Sequence, residues 1–342
     1  MRIVELYGGG DGGGAARYMR DVLPGLAQTD EVWFVSLGRD HLAPAGTQVL
    51  RVGQRGALSA IARLRPDVLH THGVRANLLG RVYGRLRDTP VVTTVHSFLA
   101  QDYLRPGAAA TALQLDSATL HWSRYLIAVS QAIADDLVQR GALPSSVRVV
   151  PNGMGPAPAP DAATLPGLVH GRPLLCVAAR LHPTKGVDIA IRALGHLPGT
   201  QLAVLGEGPE RKALMALMTE LGLEGRVHFL GYREDFASIV AGADLLLVPS
   251  RAEGFGLSAL EAMAQGVPVV ASAVGALPEI VGDGGVLTAP GDPASLARAI
   301  AAALARRERL GATARVRAGH YTLARTVRET RAVLQTAMEA QR

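Results

Sequence analysis

Short apolar runs alternate with longer stretches of helical period along the whole chain. Runs near Ile3–Tyr7, Val32–Leu37, Gln48–Val52, Val68–Thr71, Val91–Val95, Leu126–Val129 and Arg148–Val150 predict strands in the first half. The second half repeats the style near Leu174–Ala178, Gln201–Leu205, Val227–Leu230, Leu245–Val248, Val267–Ala271 and Gly285–Leu287. Intervening segments such as Ala15–Ala27 and Gln131–Gln139 predict helices. Apolar strands alternating with helices imply α/β architecture, with parallel sheets covered on both faces. No tandem repeat of solenoid type interrupts the pattern. From Pro151 to Pro160 prolines and glycines break every period, which reads as a semi-rigid linker. The domain boundary is expected within 151–172. The division is 1–155 and 156–321, followed by a strong helix, Thr322–Glu339, expected to pack across the domains.

The 342 residues suit two cores better than one. A hydrophobic fraction of 48% excludes a disordered chain. No apolar run approaches the roughly 18 residues of a membrane span. The first residues, Met1 to Tyr7, read as a strand and not as a signal peptide. Cys176 is the single cysteine and lies in an apolar run, so it reads as a small core residue in a reducing, cytoplasmic setting. The net charge is +6, and Lys185 and Lys212 are the only lysines, a bias that suggests a GC-rich bacterial genome. Aromatic residues make up 4%, which argues against a base-stacking nucleic-acid surface. The excess charge points to anionic substrates or an anionic membrane surface. Two arginine clusters, Arg63 to Arg87 and Arg306 to Arg331, read as solvated helix faces, with peripheral docking on the inner membrane face as the alternative.

The most informative chemistry lies in Glu253-Gly254-Phe255-Gly256-Leu257-Ser258-Ala259-Leu260-Glu261, after an apolar strand and at a helix start. Free backbone N–H groups at such a turn attract phosphate. A carboxylate there would repel phosphate but accepts hydrogen bonds from hydroxyls, so a sugar phosphate or sugar nucleotide fits both. Two ligand-free readings stand beside it: Ser258-x-x-Glu261 as a capping box, and Glu253 as a solvated loop residue.

Arg180 and Lys185 lie five residues apart across the turn His182-Pro183-Thr184 that follows a predicted strand. A guanidinium fork and an ammonium at a strand's carboxyl end suit a diphosphate; the alternative is a solvated pair. His96 ends the strand Val91–Val95, where it could donate to a substrate hydroxyl or phosphate, or be a bonded loop residue. His70-x-His72 places two imidazoles on one strand face, but no further ligand follows at metal spacing, and no Asp-x-Asp occurs. Gly8 to Gly14 matches Gly-x-Gly-x-x-Gly between a strand and a helix. That match admits an NAD(P)-dependent oxidoreductase, although no ribose-binding acid is evident after the second strand.

Together these residues resemble glycosyltransferase family 4, the retaining nucleotide-sugar transferases of GT-B fold, over nearly the whole chain. The E-x7-E motif matches Glu253 and Glu261, and the R-x4-K pair matches Arg180 and Lys185. Gly206-Glu207-Gly208-Pro209, Val227 to Gly231, Pro278-Glu279, Asp67 to His72 and Val150 to Gly153 are also similar. The resemblance implies two doubly wound Rossmann-like domains facing a cleft, with the C-terminal helix (about 322–342) crossing back to the first. The first domain would bind the acceptor and the second the nucleotide sugar. Glu261 would bind ribose hydroxyls, and Glu253 hydroxyls of the transferred sugar. The backbone N–H groups of Phe255, Gly256, Leu257 and Ser258 would sit near sugar and diphosphate. Arg180 and Lys185 would neutralise the leaving diphosphate, without a metal or other cofactor. His96 would contact the donor sugar near the reacting carbon. Gly231, Tyr232 and Arg233 would line the base pocket, and Gly12, Gly13 and Gly14 would face the diphosphate.

The chain departs from the family at Ser97, where many members have Asp, at Gly275-Ala276, and after Gly153, where an acid is usual. The implied donor is a UDP-, GDP- or ADP-sugar, and the acceptor a sugar, a lipid-linked molecule or a small metabolite. Besides the oxidoreductase, a non-catalytic nucleotide-sugar-binding subunit is the alternative.

Overall fold

The computed structural model describes residues 1–9, 13–38, 41–101, 106–156 and 171–341. They form two compact units, Met1–Gly155 with Thr322–Arg342, and Pro156–Tyr321.

The first unit carries β1 (Arg2–Tyr7), β2 (Glu31–Ser36), β3 (Gln48–Arg51), β4 (Val68–His72), β5 (Val91–Val95), β6 (Tyr125–Ala128) and β7 (Val147–Val149). The second carries β8 (Leu174–Ala178), β9 (Gln201–Leu205), β10 (Val227–Gly231), β11 (Leu245–Val248), β12 (Val269–Ser272) and β13 (Gly285–Thr288). The sheet orders are β3-β2-β1-β4-β5-β6-β7 and β10-β9-β8-β11-β12-β13. Their pairings are parallel throughout. Both units are therefore Rossmann-like, and in each the winding direction reverses once, between β1 and β4 and between β8 and β11. Ligands of such sheets bind beyond the carboxyl ends of the strands at that reversal.

Alternation along β1 sets what faces where. Val4 and Leu6 join one buried cluster with Ile61, Leu69 and Tyr83. Ile3 and Tyr7 join the opposite cluster with Met19, Leu23, Phe34 and Leu334. Glu5 shares the second face and is fully buried. Strand bounds follow the apolar runs closely. β12 begins at Val269 instead of Val267, since Pro268 has no N–H to give a ladder; its carbonyl instead accepts from Leu246 N–H at 3.1 Å. Cys176 is buried in β8, and burial pushes its thiol up to about 12, which fits an inert core residue.

The final helix, Leu323–Glu339, is capped by Thr322 and belongs to the first unit. It packs on the helix Gly13–Leu26, where the Tyr18 and Thr330 hydroxyls meet at 3.1 Å and Arg331 donates to Asp30 at 2.6 Å. Thr326 Oγ1 donates to Pro151 O at 2.8 Å, and Leu323 N–H to Met154 O at 2.9 Å. The arginine clusters are not uniformly solvated faces. Arg315 donates to Gln265 O at 2.8 Å, and Arg317 to Glu279 O and Ile280 O at 2.6 and 2.9 Å. Arg307 pairs with Asp244. Arg81 is fully buried and bound to Asp116 at 2.7 Å. These arginines act as carbonyl clamps and ion-pair struts, whereas Arg63, Arg65, Arg85 and Arg87 make no side-chain ion pair among the described residues.

A Cβ placed on Gly153 would lie 2.2 Å from Thr322 O, where the chain enters the final helix. Gly153→Ala is expected to destabilise the first unit by about 1–3 kcal/mol, read by urea unfolding. An unaltered midpoint would show that this backbone contact does not hold the helix.

Candidate active site

At the reversal in the second unit, two loops lie backbone to backbone. Gly186 adopts φ +63, and a Cβ there would stand 2.0 Å from Pro249 O. Arg251 ties the loops: its N–H donates to Thr184 O at 2.7 Å, its guanidinium to Pro183 O at 2.8 Å, and both its arms to Asp188 at 2.8 Å. This contact brings Lys185 Nζ to 2.8 Å from Glu253 Oε2, across 68 residues of sequence. Ser250 Oγ donates to the same oxygen at 3.1 Å. Glu253 O accepts from Ala276 N–H at 3.2 Å, which fixes the loop from below. Arg180 is exposed and makes no side-chain hydrogen bond or ion pair among the described residues.

Gly256 is the N-cap of the helix Leu257–Ala264, with φ +99 and no side-chain cap. Ser258 lies inside the helix instead of at its cap, so the capping-box reading does not hold. The first N–H groups of this helix have no intrahelical acceptor. Phe255 is buried edge-on against Tyr321, with ring centroids 6.0 Å apart. Glu261 follows one turn after Leu257 and is half-buried. The glycine turn after β9 closes on the Arg180 loop: Cβ atoms at Gly206 and Gly208 would lie 2.0 and 2.3 Å from Ala179 O and Leu181 O. Gly206 N–H donates to Gly231 O at 2.7 Å, and Gly231 has φ +71 where the register shifts at the end of β10. Tyr232 is 71% exposed, and Arg233 forks onto Asp235 at 2.7 and 2.5 Å. Loops after β8, β9, β10 and β11 thus meet at one sheet edge. The supports Ser250, Arg251 and Asp188 were not evident from the sequence, since their roles depend on loops distant in the chain.

The first unit holds a second constellation. Register sets Glu5 beside His70, Tyr7 beside His72, and His72 beside Thr94. Glu5 accepts from His70 Nδ1 at 3.1 Å and from His72 Nε2 at 2.9 Å, and His70 Nε2 meets Thr94 Oγ1 at 2.7 Å. His72 Nδ1 lies 3.0 Å from His96 Nε2, and Tyr18 packs over His72 and His96 at 5.3 and 5.1 Å. Burial raises the Glu5 carboxyl, but the charges and hydrogen bonds of His70 and His72 outweigh it and lower it to about 2. Burial lowers His72 to about 4, with Glu5 opposing, and burial with the neighbouring His72 and His70 holds His96 well below its ordinary value.

The sequence showed only two ligands, at His70-x-His72; the structure adds Glu5 from β1, with donor atoms within 4.8 Å of one another. Each of those groups is committed to a hydrogen bond. The signal available in the sequence was an acid at the centre of an apolar strand. Gly13 and Gly14 begin the helix after β1, while Gly12 lies outside the described residues.

A family model described as "Glycosyl transferases group 1" matches residues 166–317, and one described as "Glycosyltransferase Family 4" matches residues 12–157. The chain is 32% identical over 285 residues to a glycogen synthase of Mycobacterium tuberculosis, covering 79% of this chain and 68% of that protein. It is 36% identical over 278 residues to a D-inositol 3-phosphate glycosyltransferase of Xylanimonas cellulosilytica, covering 73% and 67%. Among solved structures, sucrose-phosphate synthase of Thermosynechococcus elongatus superposes with TM-score 0.86 at 23% identity, over 99% of this chain and 100% of that one. Anabaena HepE in complex with UDP-glucose superposes with TM-score 0.83 at 23% identity, over 98% and 100%.

The depressed pKa values of Glu5, His72 and His96 carry the same sign for stability. The unfolded chain takes up protons at the ordinary values of 6.5 and 4.5, before the folded His72 and Glu5 do. Stability is therefore complete above 6.5, falls as His72 is pulled toward 4, and falls again toward 2 through Glu5. Thermal melts across this range should show the decline, and His72→Asn should flatten its upper part. A wild-type melting temperature independent of pH between 6.5 and 4 would contradict the assignment.

Proposed function

The chain belongs to the glycosyltransferases, and from that premise we propose a retaining, metal-independent transfer from a nucleoside diphosphate sugar to a hydroxyl acceptor. The observation that carries this reading is the Lys185–Glu253 contact at the sheet reversal of the second unit. A cation for phosphate and a carboxylate for hydroxyls stand side by side there, with helix N–H groups that lack an intrahelical acceptor adjoining.

On this reading the donor diphosphate takes the ammonium of Lys185 and the free guanidinium of Arg180. Glu253 then accepts from hydroxyls of the transferred sugar, and Glu261 from the ribose. The N–H groups of the Phe255–Ser258 turn stabilise the diphosphate, and Gly231, Tyr232 and Arg233 border the base. The bond from the anomeric carbon to the diphosphate oxygen breaks as Arg180 and Lys185 stabilise the charge that develops. The acceptor oxygen bonds to the same face of the oxocarbenium-like carbon, and its proton leaves to the departing phosphate.

The UDP-glucose complex of HepE favours a UDP-sugar among the three donor types. Two relatives bear the names glycogen synthase and D-inositol 3-phosphate glycosyltransferase, so a sugar or small-molecule acceptor suits the reading. The comparisons do not favour the oxidoreductase alternative. No helix among the described residues is long and apolar enough to cross a membrane. A cytoplasmic location with peripheral contact to anionic lipid is the proposed setting, motivated by Leu86, 71% exposed between Arg85 and Arg87.

A thermal-shift panel of nucleoside diphosphates and their sugars is the direct test, since a ligand bound to the folded state raises the melting temperature by mass action. One nucleotide series should shift it, and its sugars should be consumed. Lys185→Ala should keep the fold and lower turnover about 100-fold. Undiminished turnover in that variant would remove the leaving-group role.

A further inference from the structure

His96 Nδ1 is buried and has no hydrogen-bond partner among the described residues. The ring's other nitrogen, Nε2, is occupied by His72 Nδ1 at 3.0 Å. Which of these atoms carries a proton follows from the far end of the chain of bonds. The Glu5 carboxylate only accepts, so both His72 Nε2 and His70 Nδ1 must donate to it. A neutral His72 then has a bare Nδ1, which accepts from His96 Nε2–H. The remaining nitrogen, His96 Nδ1, is a lone pair. The low pKa of His72 supports its neutral form. The opposite arrangement would leave an orphaned N–H at His96, and buried orphan donors are rarer than buried orphan acceptors.

We propose that Glu5 and His72 are positioning residues that lock His96 in its Nε2–H form, so that Nδ1 presents a desolvated acceptor to a substrate O–H. This reverses the donor role that the sequence suggests for His96. An acceptor of this kind bonds a hydroxyl and repels phosphate and carboxylate oxygens. Identifying the hydroxyl as one of a sugar rests on the glycosyltransferase reading; the proton arrangement does not. The role is orientation of the hydroxyl through that lone pair, and burial disfavours the protonated ring. The relay is sealed: Glu5, His70 and His72 are each fully buried, and Tyr18 covers the imidazoles.

Long-range proton–nitrogen NMR of the full chain with 15N-labelled histidine tests the relay without any substrate. The expected spectrum at neutral pH shows His96 with a bare Nδ1 and a protonated Nε2, and His72 with the same pattern, its Nε2 proton directed at Glu5. A protonated Nδ1 on His96 overturns the proposal. Glu5→Gln replaces one accepting oxygen by a donating NH2, so a histidine facing it must reverse its tautomer. That variant should place a proton on His96 Nδ1 in part and lower turnover about tenfold with the donor selected by the thermal-shift panel. A shifted tautomer with unchanged turnover overturns the hydroxyl-binding role. An unshifted one overturns the relay. If Glu5→Gln does not fold, the wild-type spectrum alone decides the tautomer. Failure of every nucleotide sugar in the panel would count against the transferase and leave the tautomer measured by NMR unaffected.

Discussion

Parallel strands deliver all their carboxyl ends to one edge of a sheet, and every functional feature of this chain depends on that constraint. Lys185 and Glu253 could not meet from sequence alone, being 68 residues apart. They meet because β8 and β11 are neighbours in register and release their loops at the same edge. The two loops then need a backbone approach that only glycine permits, at Gly186 against Pro249. Chemistry here is a consequence of topology, and the glycines are where topology becomes contact distance.

The same constraint acts in the first unit with a different result. Glu5, His70 and Thr94 come from three adjacent strands and point to one face because side chains alternate along each. Covered by Tyr18 and the final helix, the carboxylate loses its water and must take its hydrogen bonds from imidazoles. A buried carboxylate with two N–H donors is a fixed electrostatic element, and it dictates proton positions two rings away.

Periodicity made the fold legible. Each strand of both sheets shows as an apolar run, and Glu253 and Lys185 were visible as residues because each lies just beyond a run. What the sequence withheld were partnerships set by register. Glu5 completes the histidine pair from 65 residues away. Arg81, read as one charge in a solvated cluster, is a buried strut to Asp116, and nothing in its neighbours reveals that. The Ser258-x-x-Glu261 spacing imitated a capping box because the cap is Gly256, a position that spacing cannot distinguish. The errors are of one kind: local pattern predicts the local element, and it does not predict which distant side chain a polar group will meet.

The two polar sites also differ in how firmly their charges are held. In the Lys185–Glu253 pair the side chains keep 24% and 13% of their exposure. An exposed pair contributes about 0–1 kcal/mol, whereas breaking a buried one costs about 3–5 kcal/mol. The pair lies between these limits, nearer to water than Glu5 and its histidines, which have no exposure at all. On the proposed reading, this half-open pair leaves the ammonium within reach of a diphosphate and the carboxylate within reach of sugar hydroxyls. The sealed cluster keeps no exposure through which partners could exchange, so the two polar sites differ in kind: one is fixed, the other open to change.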